Sequence, residues 1–265
     1  MVLAFLLLSG SRLAAQELLA YRDSVAKAYD FLLYVPENYS DTAEAKLPLI
    51  LFLHGGSLCG RNLDLVTHYG CIDALRRGLD IPALVVSPQT PTMGWDAEKV
   101  MKVVDWVGER YAYDPDRFYV IGMSMGGWGT FKVVSAYPDR VAAAVAMCGG
   151  FLGQAETLGG VPLWIIHGTQ DRVTNLSHSS RIVKRMMETG TADRMRYTWL
   201  NGCDHSILAR CFLLPQLYDW LFSHSLSDPD RPVNLEYGMT PADLHAAYMR
   251  LDPSGGKSLP IQKPH

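Results

Sequence analysis

Short apolar runs separated by stretches of helical spacing most constrain what this 265-residue chain can fold into. The runs lie at 29–35, 47–53, 83–87, 118–122, 141–147, 163–167 and 196–200. Several are apolar without alternation, as in Leu47-Pro48-Leu49-Ile50-Leu51-Phe52-Leu53, which marks strands buried on both faces. Helical patterns fill the gaps at 97–111, 125–136, 177–189 and 213–224. Strands alternating with helices imply right-handed crossovers and a mostly parallel central sheet with helices on both faces. The expectation is one α/β domain over residues 17–224.

Composition narrows the rest. With 24 Lys+Arg against 27 Asp+Glu and a net charge of −3, the chain lacks the basic excess of a nucleic-acid binder. A hydrophobic share of 48 % suits a folded core. The five cysteines contain no C-x-x-C pair, which argues against a zinc site built on cysteine pairs. They suit buried small hydrophobes or one or two disulfides, with Cys203–Cys211 and Cys59–Cys71 the sequence-close candidates. Residues 1–16 open with an apolar run from Val2 to Leu8 followed by small residues. The run is too short to span a bilayer and reads as an export signal, so no stable membrane insertion is expected. Residues 225–265 are rich in Pro and Gly, with Thr240-Pro241 opening a short helix.

The chemistry is concentrated at Gly122-Met123-Ser124-Met125-Gly126, a G-x-S-x-G directly after an apolar strand and directly before a helical pattern. In that setting Ser124 occupies a sharp strained turn with its Oγ above the sheet edge. The N-terminus of the following helix favours a developing anion there. A serine nucleophile needs a base, and the base needs an orienting carboxylate. Asp171 follows the 163–167 strand and His205 follows the 196–200 strand, both at the sheet edge where open parallel sheets place their sites. His167 is a rival base and Asp204 a rival acid. A buried, backbone-bonded histidine is the favoured reading of the first, and the second points away from its neighbour on an extended chain. Two oxyanion donors are expected: the N–H of Met125, and that of Gly56 or Ser57 in His54-Gly55-Gly56-Ser57.

These blocks, with Asp114-Pro115-Asp116-Arg117, Tyr137-Pro138-Asp139-Arg140 and Cys148-Gly149-Gly150, resemble the compact bacterial α/β-hydrolases. That group includes predicted peptidases, phospholipase/carboxylesterase-type enzymes, and polyhydroxybutyrate-depolymerase-like and feruloyl-esterase-like enzymes. The resemblance covers roughly residues 28–224. It implies an α/β-hydrolase fold, a Ser124, Asp171, His205 triad, the oxyanion positions above, and neither metal nor organic cofactor. Where many relatives carry a His-Gly-Ala-Gly-Glu-like turn, this chain has His54-Gly55-Gly56-Ser57-Leu58-Cys59-Gly60.

About a dozen residues separate Gly150 from the next strand, so no large cap domain is expected. Trp95 and Trp128 are candidate substrate-binding surfaces for a sugar or phenolic ring, with packing roles as the alternative. The expected activity is hydrolysis of small-molecule or oligosaccharide carboxylic esters through an acyl-serine. The alternatives are a peptidase-like hydrolase on the same triad and a non-catalytic binding protein on a hydrolase fold.

Overall fold

The computed structural model describes residues 16–251 and 258–264. The expected export segment therefore lies almost wholly outside the described residues. Among the described residues nine strands form one sheet: β1 (Glu17–Tyr21), β2 (Asp30–Val35), β3 (Leu49–Leu53), β4 (Leu84–Gln89), β5 (Phe118–Met123), β6 (Ala143–Met147), β7 (Leu163–Gly168), β8 (Met195–Leu200) and β9 (Ile261–Gln262). Their spatial order is β8-β7-β6-β5-β3-β4-β2-β1-β9. From β4 to β8 every pairing is parallel, whereas β2 runs antiparallel to both β1 and β4.

The unbroken apolar runs have a direct cause. Along β3, Ile50 and Phe52 join one hydrophobic cluster while Leu49, Leu51 and Leu53 join the other, on the opposite face. On the first face lie α1 (Cys71–Arg76) and α5 (Pro215–Phe222), which contribute Ile72, Leu75, Leu217 and Trp220. On the second lie α2 (Ala97–Gly108), α3 (Met125–Ala136) and α4 (Ser177–Glu188), which contribute Val104, Phe131 and Ile182. Between β6 and β7 the chain makes one 3-10 turn, Ala155–Leu158, and no inserted domain. All seven expected strands form, with ends shifted by one or two residues. The sequence reading missed β1, β9 and α1, each too short to set up a period.

The C-terminal segment wraps the body. A capping box on Thr240 and Asp243 starts α6 (Pro241–Arg250), whose Leu244 and Ala247 are buried in the first core cluster. The guanidinium groups of Arg77 and Arg210 both lie over the Tyr248 ring, at 5.4 and 4.3 Å from its centroid. Arg76 then donates to the Leu259 carbonyl, and β9 pairs parallel with β1. None of the cysteines is in a disulfide. Both sequence-close candidate pairs are therefore corrected to free thiols: Cys71, Cys203 and Cys211 are buried in the core, and Cys59 is half-buried.

The tightest joint in the fold is the β5–α3 turn. A Cβ on Gly126 would stand 1.8 Å from the Leu53 carbonyl oxygen, and one on Gly122 would stand 2.2 Å from the Gly126 carbonyl oxygen. These obstacles are backbone and cannot rotate away. Gly126→Ala is expected to lower stability by more than about 3 kcal/mol, the upper end of ordinary overpacking, or to prevent accumulation of folded protein. Urea unfolding midpoints against wild type check it.

Candidate active site

Ser124 sits at φ 59°, ψ −123°, the left-handed region that side chains other than glycine avoid. Its N–H donates to the Met147 carbonyl at 2.8 Å, which ties the turn to β6. The surrounding structure holds this strain in a sharp strand-to-helix turn, the geometry expected from the G-x-S-x-G segment. The turn lifts Oγ out of the sheet, where it donates to His205 Nε2 at 3.0 Å. His205 Nδ1 in turn donates to Asp171 Oδ2 at 2.6 Å. Those two bonds assign the tautomer: the proton is on Nδ1, so Nε2 is free to accept.

Asp171 is buried, and both of its oxygens are engaged. Oδ1 accepts the backbone N–H groups of Val173 (2.9 Å) and Thr174 (2.8 Å), which leaves Oδ2 facing His205. The rivals are placed elsewhere. Asp204 Oδ1 accepts from Ser206 Oγ and the Ile207 N–H and makes no bond to His205. His167 is fully buried and donates from Nε2 to the Thr174 carbonyl at 2.8 Å, with Ser179 Oγ 2.7 Å from Nδ1. It is a support for the Asp171 loop rather than a base facing Ser124. Cys148 Sγ also lies near the Asp171 and His205 side chains. Burial pushes its thiol well above the ordinary range, so it packs as a neutral group.

The oxyanion candidates lie at two helix starts. Met125 begins α3, and Gly56 and Ser57 begin a 3-10 turn, Gly56–Leu58. First-turn N–H groups lack intrahelical acceptors by geometry, and these three find none among the described backbone contacts. Gly56 and Ser57 both remain candidates. The loop is held by two residues that sequence reasoning assigned no task. Tyr69 Oη accepts the Gly55 N–H at 2.7 Å. His54, buried against the Trp95 ring, donates from Nδ1 to the Gly55 carbonyl and accepts the Thr90 N–H on Nε2. Burial pushes the His54 pKa down to about 4, against a weaker upward pull from the Gly55 carbonyl. Nothing in the local sequence signals Tyr69, which arrives from a separate loop farther along the chain.

A cavity of about 1130 Å³ opens over Ser124, lined largely by Met93, Met125, Trp128, Phe151, Leu152 and Val173. Three lining side chains are unusually exposed apolar groups: Leu152 at 93 %, Met93 at 74 % and Val173 at 74 %. Trp128 forms part of the wall, with its ring over Gly150. Trp95 also lines the cavity but has no free flat face there, as its packing alternative had it. It is 3 % exposed, T-stacked on Tyr29 and His54, and its indole N–H donates to the His54 carbonyl.

Comparison with known proteins agrees with this architecture. A family model described as alpha/beta hydrolase fold matches residues 48–158. The chain has the α/β-hydrolase fold. The bifunctional acetylxylan esterase/xylanase XynS20E of Neocallimastix patriciarum is 28 % identical over 174 residues, 62 % of this chain and 24 % of that protein. Among solved structures, a thermostable esterase superposes with a TM-score of 0.64 at 25 % identity, covering 79 % of this chain and 63 % of that one. S-formylglutathione hydrolase FrmB from Staphylococcus aureus superposes at 0.59 with 18 % identity, covering 78 % and 96 %. A feruloyl esterase module from Clostridium thermocellum does so at 0.57 with 15 % identity, covering 72 % and 82 %. The chain thus spans about a quarter of the curated relative it matches, and the last two likenesses speak to fold alone. Among the described residues no helix is long and apolar enough to cross a membrane.

The buried His54 carries a pH dependence for this α/β-hydrolase fold. Its folded pKa is about 4 and its unfolded value near 6.5. Between those values the unfolded chain binds a proton that the folded one refuses, so stability falls as pH drops through that window and levels off below it. The full effect is roughly 3 kcal/mol. His167 and His224, pushed down mainly by burial, act in the same direction. His54→Asn is therefore expected to flatten part of the slope of unfolding free energy between about pH 6.5 and 4.5, measured by urea titration at each pH.

Proposed function

We propose that this protein is a serine hydrolase that cleaves carboxylic esters through an acyl-serine intermediate. The observation that carries the reading is the continuous relay from Ser124 Oγ through His205 to Asp171, at 3.0 and 2.6 Å, opening onto an apolar cavity. Ser124 Oγ attacks the ester carbonyl while His205 Nε2 takes its proton. The tetrahedral oxyanion is received by the N–H of Met125 and that of Gly56 or Ser57. His205 then returns the proton to the leaving alcohol, and the same sequence with water frees the acid. Asp171 holds the imidazole tautomer and offsets the charge of the imidazolium.

The apolar wall of Trp128, Phe151, Leu152 and Val173 suits the hydrocarbon part of the ester, aromatic or alkyl. The open mouth leaves room for a bulky, carbohydrate-linked alcohol. The similarity to an acetylxylan esterase/xylanase is consistent with such substrates. The residue 1–16 pattern supports export.

The test is initial rates for wild type and Ser124→Ala on short and long p-nitrophenyl esters, methyl ferulate, acetylated xylo-oligosaccharide and peptide p-nitroanilides. Ser124→Ala is expected to lower kcat on esters by on the order of 10⁶, and Asp171→Asn by about 10⁴. Faster cleavage of the anilides would favour a peptidase. Equal rates for Ser124→Ala and wild type would favour a binding protein. Tyr69→Phe removes the acceptor of the Gly55 N–H and is expected to lower kcat about tenfold with little change in KM, since the loop it steadies serves the transition state.

A further inference from the structure

Three sulfur atoms converge at the mouth of the cavity. Cys59 Sγ lies 4.0 Å from Met93 Sδ and 3.9 Å from Met125 Sδ, and 3.4 Å from the Thr92 carbonyl oxygen. The three residues come from different places: the loop after β3, the loop after β4, and the first position of α3. Met125 Sδ is fixed by accepting the Gly94 N–H at 3.0 Å. Met93 is 74 % exposed, so its thioether is spent at the solvent edge rather than in core packing. Cys59 is half-buried.

From this geometry we propose that Cys59, Met93 and Met125 form a site for a soft monovalent metal ion, Cu(I) in the first instance. Thiolate and thioether donors select Cu(I) over harder ions. A metal bonded to three sulfurs in a plane at about 2.3 Å, the metal–thiolate length, holds those sulfurs about 4.0 Å apart. The two sulfur–sulfur separations from Cys59 already have that value, and the exposed Met93 side chain can swing to complete the triangle. Copper enters as Cu(I) and stays Cu(I): the Cys59 thiol loses its proton to solvent as the sulfur–copper bond forms, and the thioethers donate lone pairs without proton change.

The site adjoins the expected oxyanion donors. Met125 supplies one N–H itself, and Met93 lies over Gly56, where a Cβ would meet its Cε at 2.9 Å. Resting on the ester-hydrolase reading, the inference extends to activity: a metal here fixes both side chains at the cavity mouth and inhibits turnover.

The test titrates the full chain with Cu(I), supplied anaerobically as its acetonitrile complex, and reads two signals. The first is sulfur-to-copper charge-transfer absorption in the ultraviolet, with affinity set by competition against bicinchoninate. The second is p-nitrophenyl ester hydrolysis. Wild type is expected to bind one equivalent and lose its rate in step with occupancy. Cys59→Ser should keep the basal rate, weaken binding at least about 100-fold, beyond the effect of losing an outer-shell partner, and resist inhibition. Met93→Leu, which preserves volume, should weaken binding about tenfold, so the assignment does not rest on one variant. Unchanged stoichiometry and affinity in both variants would overturn the site and direct attention to Cys148 beside Asp171 and His205. Binding lost in Cys59→Ser with no inhibition of wild type would overturn the coupling to activity. If no ester is turned over before metal is added, the hydrolase reading fails, while the absorption titration still decides the metal site.

Discussion

The turn that carries Ser124 depends on backbone approaching backbone. Gly126 lies so close to the Leu53 carbonyl, and Gly122 to Gly126, that no side chain fits at either position. That contact lets α3 start directly above the ends of β3 and β5. It also forces Ser124 into a left-handed conformation. The strain is sustained by the Ser124 N–H bond to Met147 and by a core in which every residue of β5 is buried. Ser124, one expected oxyanion donor and a helix N-terminus therefore arrive together. None of them can move without breaking the joint.

Around this fixed point the other loops are held by bonds that leave the Ser124–His205–Asp171 relay in place. Asp171 uses one oxygen for its own loop and presents the other to His205. His54 and Tyr69 hold the two ends of the Gly55 residue, and Trp95 is the wall against which His54 packs. The neutral state of His54 follows from burial, and its tautomer follows from a carbonyl on one ring nitrogen and an N–H on the other. Rigid support of this kind is what preorganised electrostatic stabilisation requires, because donors that must reorient give back part of what they gain.

The segment after residue 225 has a structural task in the same site. The 3-10 stretch Ser206–Leu213 follows His205 directly, and α6 packs on it through Leu244 and Ala247. Arg210 from that stretch stacks on Tyr248 of α6. Earlier in the wrap, Arg231 donates to the carbonyls of Gly160 and Ala142, closing the ends of β6 and β7. His205 thus stands on a loop clamped from outside the sheet.

Much of this was legible in the sequence because it is local. Two-sided burial requires continuous apolar strands, a sharp strand-to-helix turn requires glycine at fixed offsets, and crossovers of helical length require a parallel sheet. Those patterns placed the seven main strands, Ser124, and the loops that hold Asp171 and His205. Other features depended on contacts between distant segments. Trp95 is open to two readings, substrate-binding surface or packing residue, and Tyr29 and His54 close over it. Cys203 and Cys211 are near in sequence, yet both are buried as free thiols. Tyr69 meets Gly55, α6 meets the His205 loop, and three sulfurs from separate loops meet at one mouth, with no periodic signal for any of them. The sequence by itself determined which segments must be buried and where the chain must turn sharply, since those follow from local sterics and hydrophobic pattern. Only the tertiary structure decided which side chains from remote loops share a site, because that depends on how the buried segments stack.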